Sequence, residues 1–285
     1  MSFIFSFSLN AQKNEAVWPK RILITNDDGI DDKKMIMMAN AFSKIAETFI
    51  IAPNGDKSGS SHYASVFSKH YLTVEKKDIN KQIISYSVDG YPADCIFLAL
   101  KGIMKDNPPD LVICGINGGP NLGYDWMASG TIGAARMAAY WGIPAIAISG
   151  FKGESKEDLN KIIEWVIALA QSDLIKQLKP RQYLTVSFPR IPAEHIKGIK
   201  VAKRDGILLE FEMTKTNTDK NIETWSILKP KPIIDFQNES DAAFYYQNYV
   251  VIVPMVADEM EIELLEKLNR KSNAIPKWQN YKPDE

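Results

Sequence analysis

Short apolar runs alternate with helix-length amphipathic segments through the first half of this chain, and each run stops at turn residues. Arg21–Thr25 ends in Asn26-Asp27-Asp28-Gly29, Thr48–Ala52 ends at Pro53, Leu111–Cys114 runs into Gly115, and Pro144–Ser149 ends at Gly150. Continuous apolar runs of this length read as strands buried on both faces. Between them, Lys33–Ala46 places Met35, Met38, Ala39 and Phe42 on one helical face, with Asp31 or Asp32 as its cap. Ala93–Gly102 gathers Cys95, Leu98 and Ala99 in the same way. Ser129-Gly130-Thr131 opens a small-residue helix through Trp141, and Gly142 fits its stop. Ser155 with Asp158 forms a capping pair for a helix over Leu159–Ala170. Strand, helix, strand, repeated, predicts an α/β fold with a mostly parallel sheet covered on both faces.

Other segments break this rhythm. Two further strands are expected near Tyr71–Glu75 and Ile83–Val88, after the polar loop Asn54–His62. The second half changes character: Ile207–Thr214 and Glu223–Leu228 read as a long hairpin around a polar turn, Asn217–Asn221. Tyr249–Pro254 is another apolar strand, and Glu259–Lys271 a charged amphipathic helix followed by a polar, mobile tail. The expected organisation is a leader over residues 1–19, one α/β domain over 20–256, and a C-terminal helix and tail over 257–285. Phe3–Leu9 is apolar but short, with no basic residues before it. It reads either as a leader or as the remnant of an export signal.

Composition removes several classes of function. The formal net charge of −1 spread over 285 residues offers no concentrated basic face for duplex nucleic acid. No apolar stretch approaches the length of a membrane span. Cys95 and Cys114 lie in apolar runs without metal-ligand spacing, and His62, His70 and His195 are scattered. A thiolate–imidazole zinc site is therefore not expected.

The chemistry gathers on four loops that can share one edge of the sheet. Asp27 and Asp28, thrown out together at the first strand tip, repel each other, and a bound cation removes that conflict. With the Ser58 hydroxyl and the Asn117 amide oxygen they make an all-oxygen donor set, which suits Mg²⁺ or Mn²⁺ before Zn²⁺. Asn121 lies on the same loop as Asn117. Ser129, Gly130 and Thr131 start a helix whose unpaired N–H groups and dipole favour an anion such as phosphate. The glycine-rich loop Gly115–Gly123 carries neither Gly-Lys-Ser/Thr nor the dinucleotide spacing. His62 is open to two readings, a phosphate contact or an exposed loop residue, and His195 reads as surface. Tyr124 and Trp126 can stack a base or anchor their loop. Asp94 and Arg136 can form a structural ion pair or belong to the site.

Five ordered stretches carry a family resemblance: Ile24–Ile30, Ala52-Pro53 with Ser58–His62, Asp89–Cys95, Pro109–Gly123 and Ser129–Ala135. Together they resemble the SurE survival-protein family of metal-dependent 5′-nucleotidases. The likeness spans about Lys20 to Gly150 and returns at Ser240-Asp241 and Tyr249–Met255. It implies a Rossmann-like three-layer core, and an extended hairpin and C-terminal segment used in assembling a homodimer or homotetramer. It implies metal ligands at Asp27, Asp28, Ser58 and Asn117, and a phosphate site at Asn121, Ser129, Gly130 and Thr131. Catalytic roles would fall to Asp27, Asp28 and Asn121, and the substrate would be a nucleoside monophosphate. The family's usual compartment is the cytoplasm, with export the alternative if residues 1–12 are a signal remnant.

One stretch departs from the family pattern. After Gly29-Ile30 the family often has a small residue, Pro and Gly, where this chain has Asp31-Asp32-Lys33-Lys34. That departure keeps a second hypothesis open, a nucleotide- or metal-binding protein without catalysis. A nicotinamide oxidoreductase, suggested only by fold class, lacks its glycine fingerprint after the first strand.

Overall fold

The side chains of the first strand already divide between two cores. Ile22 and Ile24 join one buried cluster and Leu23 joins another, and none of the three is exposed to solvent. That is the period of two expected of a strand covered on both faces. The computed structural model describes residues 18–151, 155–204, 208–210, 213–219, 221–227, 231–259 and 262–270. The leader and the C-terminal tail lie outside the described residues, apart from Trp18 and Pro19.

In chain order, β1 (Arg21–Thr25) leads through α1 (Lys33–Phe42) to β2 (Glu47–Pro53). A short α2 (Val66–Lys69) and β3 (Val74–Lys77) precede β4 (Ile83–Val88). Helix α3 (Pro92–Leu98), continued by a π turn over Ala99–Ile103, returns the chain to β5 (Leu111–Asn117). Then follow α4 (Gly130–Tyr140), β6 (Ala145–Ser149), α5 (Lys156–Gln171), α6 (Asp173–Lys176), β7 (Gln182–Ser187) and β8 (Ile199–Val201). Strands β9 (Leu208–Glu210), β10 (Met213–Asp219), β11 (Ile222–Ile227) and β12 (Lys231–Ile233) form two separate antiparallel pairs. Helix α7 (Asp241–Tyr246), β13 (Val250–Val256) and α8 (Ile262–Arg270) complete the described chain.

Among the described residues the main sheet has the order β3-β4-β2-β1-β5-β6-β7-β13-β8. Its centre, β4 to β7, is parallel throughout. The flanks bring antiparallel pairs, β3 on β4 and β13 on β7. Helices α1 and α5 cover one face, α3 and α4 the other. The steps β5–α4–β6 and β6–α5–β7 move the same way across the sheet with helices on opposite faces. They are therefore of opposite hand, and one of them breaks the usual right-handed rule. The chain leaves β1 toward β2, then crosses back from β4 to β5 on the other side of β1. The crevice at the carboxyl ends of β1 and β5 is thus the topological switch point, where open α/β sheets place ligands.

The α/β expectation is met, and several boundaries move. The Met35, Met38, Ala39, Phe42 stripe is buried, and Asp32 is the cap, accepting the Met35 N–H at 2.8 Å. The helix stops at Phe42 instead of Ala46, because Glu47 must already pair with Arg21 in β2. The strand expected at Tyr71–Glu75 sits later, at Val74–Lys77. In the hairpin, Asn217, Thr218 and Asp219 pair with Thr224, Glu223 and Ile222 instead of forming a turn. All of Met213–Asp219 is exposed, so no face demands apolar alternation and polar residues can occupy the strand. The expected hairpin ends at Ile207 and Leu228 lie outside the described residues.

Candidate active site at the sheet switch point

Asn26 shapes the turn that follows β1. Its amide donates to the Gly29 carbonyl and accepts the Gly29 N–H, both at 3.1 Å. Gly29 has φ +106°, and a Cβ there would meet the Gly55 backbone at 3.0 Å. Glycine is what lets the loop after β2 close over this turn. That loop is then tied down by Ile30 N–H to Pro53 O at 2.8 Å and Lys57 N–H to Asp27 O at 2.7 Å.

Asp27 is buried, and the start of α4 is docked on it. The Thr131 hydroxyl donates to Asp27 Oδ1 at 2.5 Å and the Thr131 N–H to Oδ2 at 3.2 Å. Gly130 makes this approach possible, because a Cβ there would meet Ser60 Oγ at 2.7 Å and Asp27 Cβ at 3.0 Å. Ser129 caps the helix, its Oγ accepting the Ile132 N–H at 3.1 Å. The β1 tip, the serine loop and the α4 N-terminus therefore meet at one point.

Both asparagines come from the end of β5 and the loop that follows it. Asn117 ends β5, and its amide N–H donates to Gly119 O at 2.8 Å, leaving Oδ1 free to accept. Asn121 is buried and donates to Ser149 Oγ, at the end of β6, at 2.8 Å. A cleft of about 520 Å³ is lined by Asn117, Asn121, Ser129, Tyr124 and Asp125. Tyr124 thus borders the cleft, while Trp126 lies 6.0 Å from the Arg136 guanidinium. Ser58 is exposed on its loop and donates to Asp56 Oδ1 at 2.6 Å, so its lone pairs stay available.

Burial dominates the electrostatics of the acid pair, although the Lys34 ammonium lies 3.4 Å from Asp28 Oδ2. Burial, the largest effect, pushes the Asp27 carboxyl above the usual carboxylate range against the hydrogen bond from Thr131. Burial does the same to Asp28, opposed by Lys34 and helped by Asp27. Ser60 Oγ is buried without a hydrogen bond, and Asp28 Oδ2 is buried against the Lys34 ammonium at 3.4 Å. Among the described residues no three His, Cys, Asp or Glu side chains cluster as a metal site. An ion here would be held by carboxylates plus neutral oxygens, a donor set that fits a hard divalent cation.

Some expected partners are elsewhere. Asp94 and Arg136 do not pair with each other. Asp94 receives Ser65 N–H and hydroxyl, Val66 N–H and Tyr91 N–H, while Arg136 pairs with Glu259. His62 is half-buried, its ring nitrogens 3.2 Å from Ser61 Oγ and 3.3 Å from Arg136, so the exposed-loop reading is corrected. His195 is on the surface, as expected. Sequence reasoning missed Arg204, whose guanidinium donates to Asn121 O at 2.9 Å and Thr185 Oγ1 at 2.7 Å. Asp241 accepts the Gly123 N–H at 3.0 Å beside it. Together they hold the asparagine loop from the root of the hairpin.

A doubly covered, largely parallel sheet with an acidic, oxygen-lined site at its switch point defines a Rossmann-like α/β protein. The family model described as "Survival protein SurE" matches residues 22–206, and the chain belongs to the SurE family. A relative from Clostridium beijerinckii named 5′-nucleotidase SurE is 35% identical over 254 residues, 87% of this chain and 98% of the relative. One of the same name from Campylobacter jejuni is 34% identical over 261 residues, 88% of this chain and 97% of the relative. The crystal structure of a SurE protein from Aquifex aeolicus superposes with a TM-score of 0.75 at 26% identity, covering 88% of this chain and 99% of that one. Among the described residues no helix is long and apolar enough to cross a membrane.

Proposed function

We propose that this protein is a metal-dependent phosphomonoesterase that hydrolyses nucleoside 5′-monophosphates, with 3′-monophosphates and other phosphomonoesters as further substrates. The observation that carries the reading is the docking of the α4 N-terminus on buried Asp27, next in sequence to Asp28, whose buried oxygen is met by the Lys34 ammonium at 3.4 Å. It brings a helix N-terminus, a candidate anion site, against one carboxylate of the acid pair. The names of the relatives support the substrate class.

Asp27, Asp28, Ser58 and Asn117 would hold the ion, for which we propose Mg²⁺ or Mn²⁺. When bound, such an ion polarises a phosphoryl oxygen and lowers the pKa of water. The Asp28 carboxylate orients the attacking water and takes its proton. Asn121, fixed through Ser149, donates to the phosphoryl oxygens as charge builds there. The Ser129 hydroxyl caps the helix, and the Thr131 donors serve Asp27. The Gly130 N–H is the group the helix start offers to the phosphate. Tyr124 and Asp125 line the space left for the nucleoside.

The hairpin supports a homodimer or homotetramer. Met213–Asp219 is exposed on both faces, and Ile222 and Trp225 opposite it are also exposed. A two-stranded ribbon that buries nothing is marginal by itself and gains stability against a second subunit. The buried free thiols Cys95 and Cys114 suit a reducing compartment, and we place the protein in the cytoplasm.

The test is phosphate release from a nucleotide panel, with chelator and then with Mg²⁺ or Mn²⁺ restored. Activity should vanish and return. Asp27→Asn should lose about three orders of magnitude in kcat and keep its fold, since an amide oxygen can still accept from Thr131. Chelator-resistant turnover, or near-normal turnover in Asp27→Asn, would refute the proposal. Nucleotide binding without release under any divalent ion would select the non-catalytic reading instead.

A further inference from the structure

Lys34 stands in the second position of α1 and reaches back over the helix start. Its ammonium lies 2.7 Å from Asp32 Oδ2 and 3.4 Å from Asp28 Oδ2, with 19% of its side chain exposed. The two seats differ. Asp32 is held rigidly, because its other oxygen caps the helix by accepting the Met35 N–H. The Asp28 oxygen is buried and holds the ammonium at the longer distance. A cation arriving at Asp28 therefore meets an ammonium already in place, and like charges sharing one carboxylate repel strongly at reduced dielectric.

We propose that Lys34 is an internal counter-ion that competes with the divalent metal for Asp28, so that this protein binds its metal weakly and exchanges it readily. The inference rests on the metal-site reading above. In the metal-free protein Lys34 neutralises Asp28. As the metal enters, the ammonium withdraws to Asp32, which keeps it from being stranded. Asp32 is thus a positioning residue for the metal site, and Lys34 sets the site's affinity.

The two residues predict opposite shifts, which a general disturbance of the turn would not produce. The measurement is calorimetric titration of the metal-free protein with Mn²⁺, so that turnover is not the readout. Lys34→Met keeps the apolar stem and removes the charge, and should bind Mn²⁺ at least about tenfold more tightly. Lys34→Gln should shift the same way and serves if the first variant folds poorly. Asp32→Asn retains a good helix cap but removes the alternative seat, and should bind at least about threefold more weakly. Equal affinities in the wild type and both Lys34 variants would overturn this inference and leave the metal site standing. Tighter binding in Asp32→Asn would also overturn it. No Mn²⁺ binding in any variant would remove the metal site itself, and the inference with it. Binding seen only once Lys34 is replaced would support it most strongly.

Discussion

Gly133→Ala should destabilise this protein although alanine is the better helix former. Within a helix, Ala is favoured over Gly by about 1 kcal/mol. Gly133 lies inside α4, where a Cβ would sit 2.1 Å from the Ser61 carbonyl oxygen and 2.8 Å from its carbon. Helix and loop must separate by about 1 Å to restore an ordinary contact. Neither can simply swing away. Ser61 N–H is bonded to Ala128 O at 2.9 Å, and the same loop is tied to Asp27 through Lys57. Overpacking of this kind costs about 1–3 kcal/mol, and two backbone partners place it at the upper end. The net expectation is a loss of about 2 kcal/mol, seen as a lower urea midpoint at constant m-value.

Gly102→Ala is the matched control. It lies in the π turn after α3, and its added Cβ would meet Leu98 Cδ1 at 3.4 Å, an ordinary contact. That variant should be neutral or more stable by up to about 1 kcal/mol. The two substitutions should also part in activity. Moving the serine loop by about 1 Å misplaces Ser58 and Ser60 against Asp27, which should lower kcat about a hundredfold in Gly133→Ala. A Gly133→Ala protein of wild-type stability and full turnover would refute the close helix–loop contact. With it would fall the convergence of loop, helix and strand tip on Asp27.

Two further predictions concern regions away from the acid pair. Burial, with Arg136 second and Glu259 opposing, pulls the His62 pKa down to about 4, so the folded protein holds this ring neutral. The unfolded chain takes up the proton near the ordinary pKa of about 6.5, so stability from His62 is full above that value. It is lost as pH falls toward 4, and His62→Asn should flatten this decline in urea midpoints at pH 7, 5.5 and 4.5; an unchanged slope would remove His62 as its cause. Trp225→Ala on the exposed hairpin should weaken subunit association by about 2 kcal/mol, roughly thirtyfold in the dissociation constant, as read by sedimentation; unchanged association would rule out the hairpin as the contact.

What was legible in the sequence is what local physics determines. Ile22–Thr25, Leu111–Cys114 and Ala145–Ser149 announce themselves because a strand covered on both faces must be apolar throughout. The Met35–Phe42 stripe follows from helical spacing, whereas spacing left the cap open between Asp31 and Asp32. The candidate donors of the site stand out in the sequence as polar groups at or after strand ends, and the contacts among their loops do not. Asp27 meets Thr131 across 104 residues of chain, and Arg204 meets Asn121 across 83. Nothing periodic marks either pairing. Strand β7 went unread because Gln182 and Thr185 interrupt its apolar run, although all but Gln182 are buried. The hairpin itself was legible and only its turn was misplaced: Asn217–Asp219 lie in an exposed strand, where polar composition resembles a turn.

The fold answers the charges of the acid pair in different ways, and this decides what each residue can report. Asp27 is buried and its charge is met by fixed donors, the Thr131 hydroxyl and N–H at the head of α4. Those donors also seat the helix against the sheet, so Asp27 serves architecture and chemistry together. Asp28 is met by the ammonium of a long side chain that is also bonded to Asp32. Removing the Asp28 charge leaves Lys34 bonded to Asp32 and strands nothing. Removing the Asp27 charge leaves buried donors without an acceptor unless an isosteric oxygen remains. In the proposed cation site Asp27 would be the rigid half and Asp28 the exchangeable half, and an ion there is expected to exchange from the side of Asp28, where the competing Lys34 charge has a second partner in Asp32.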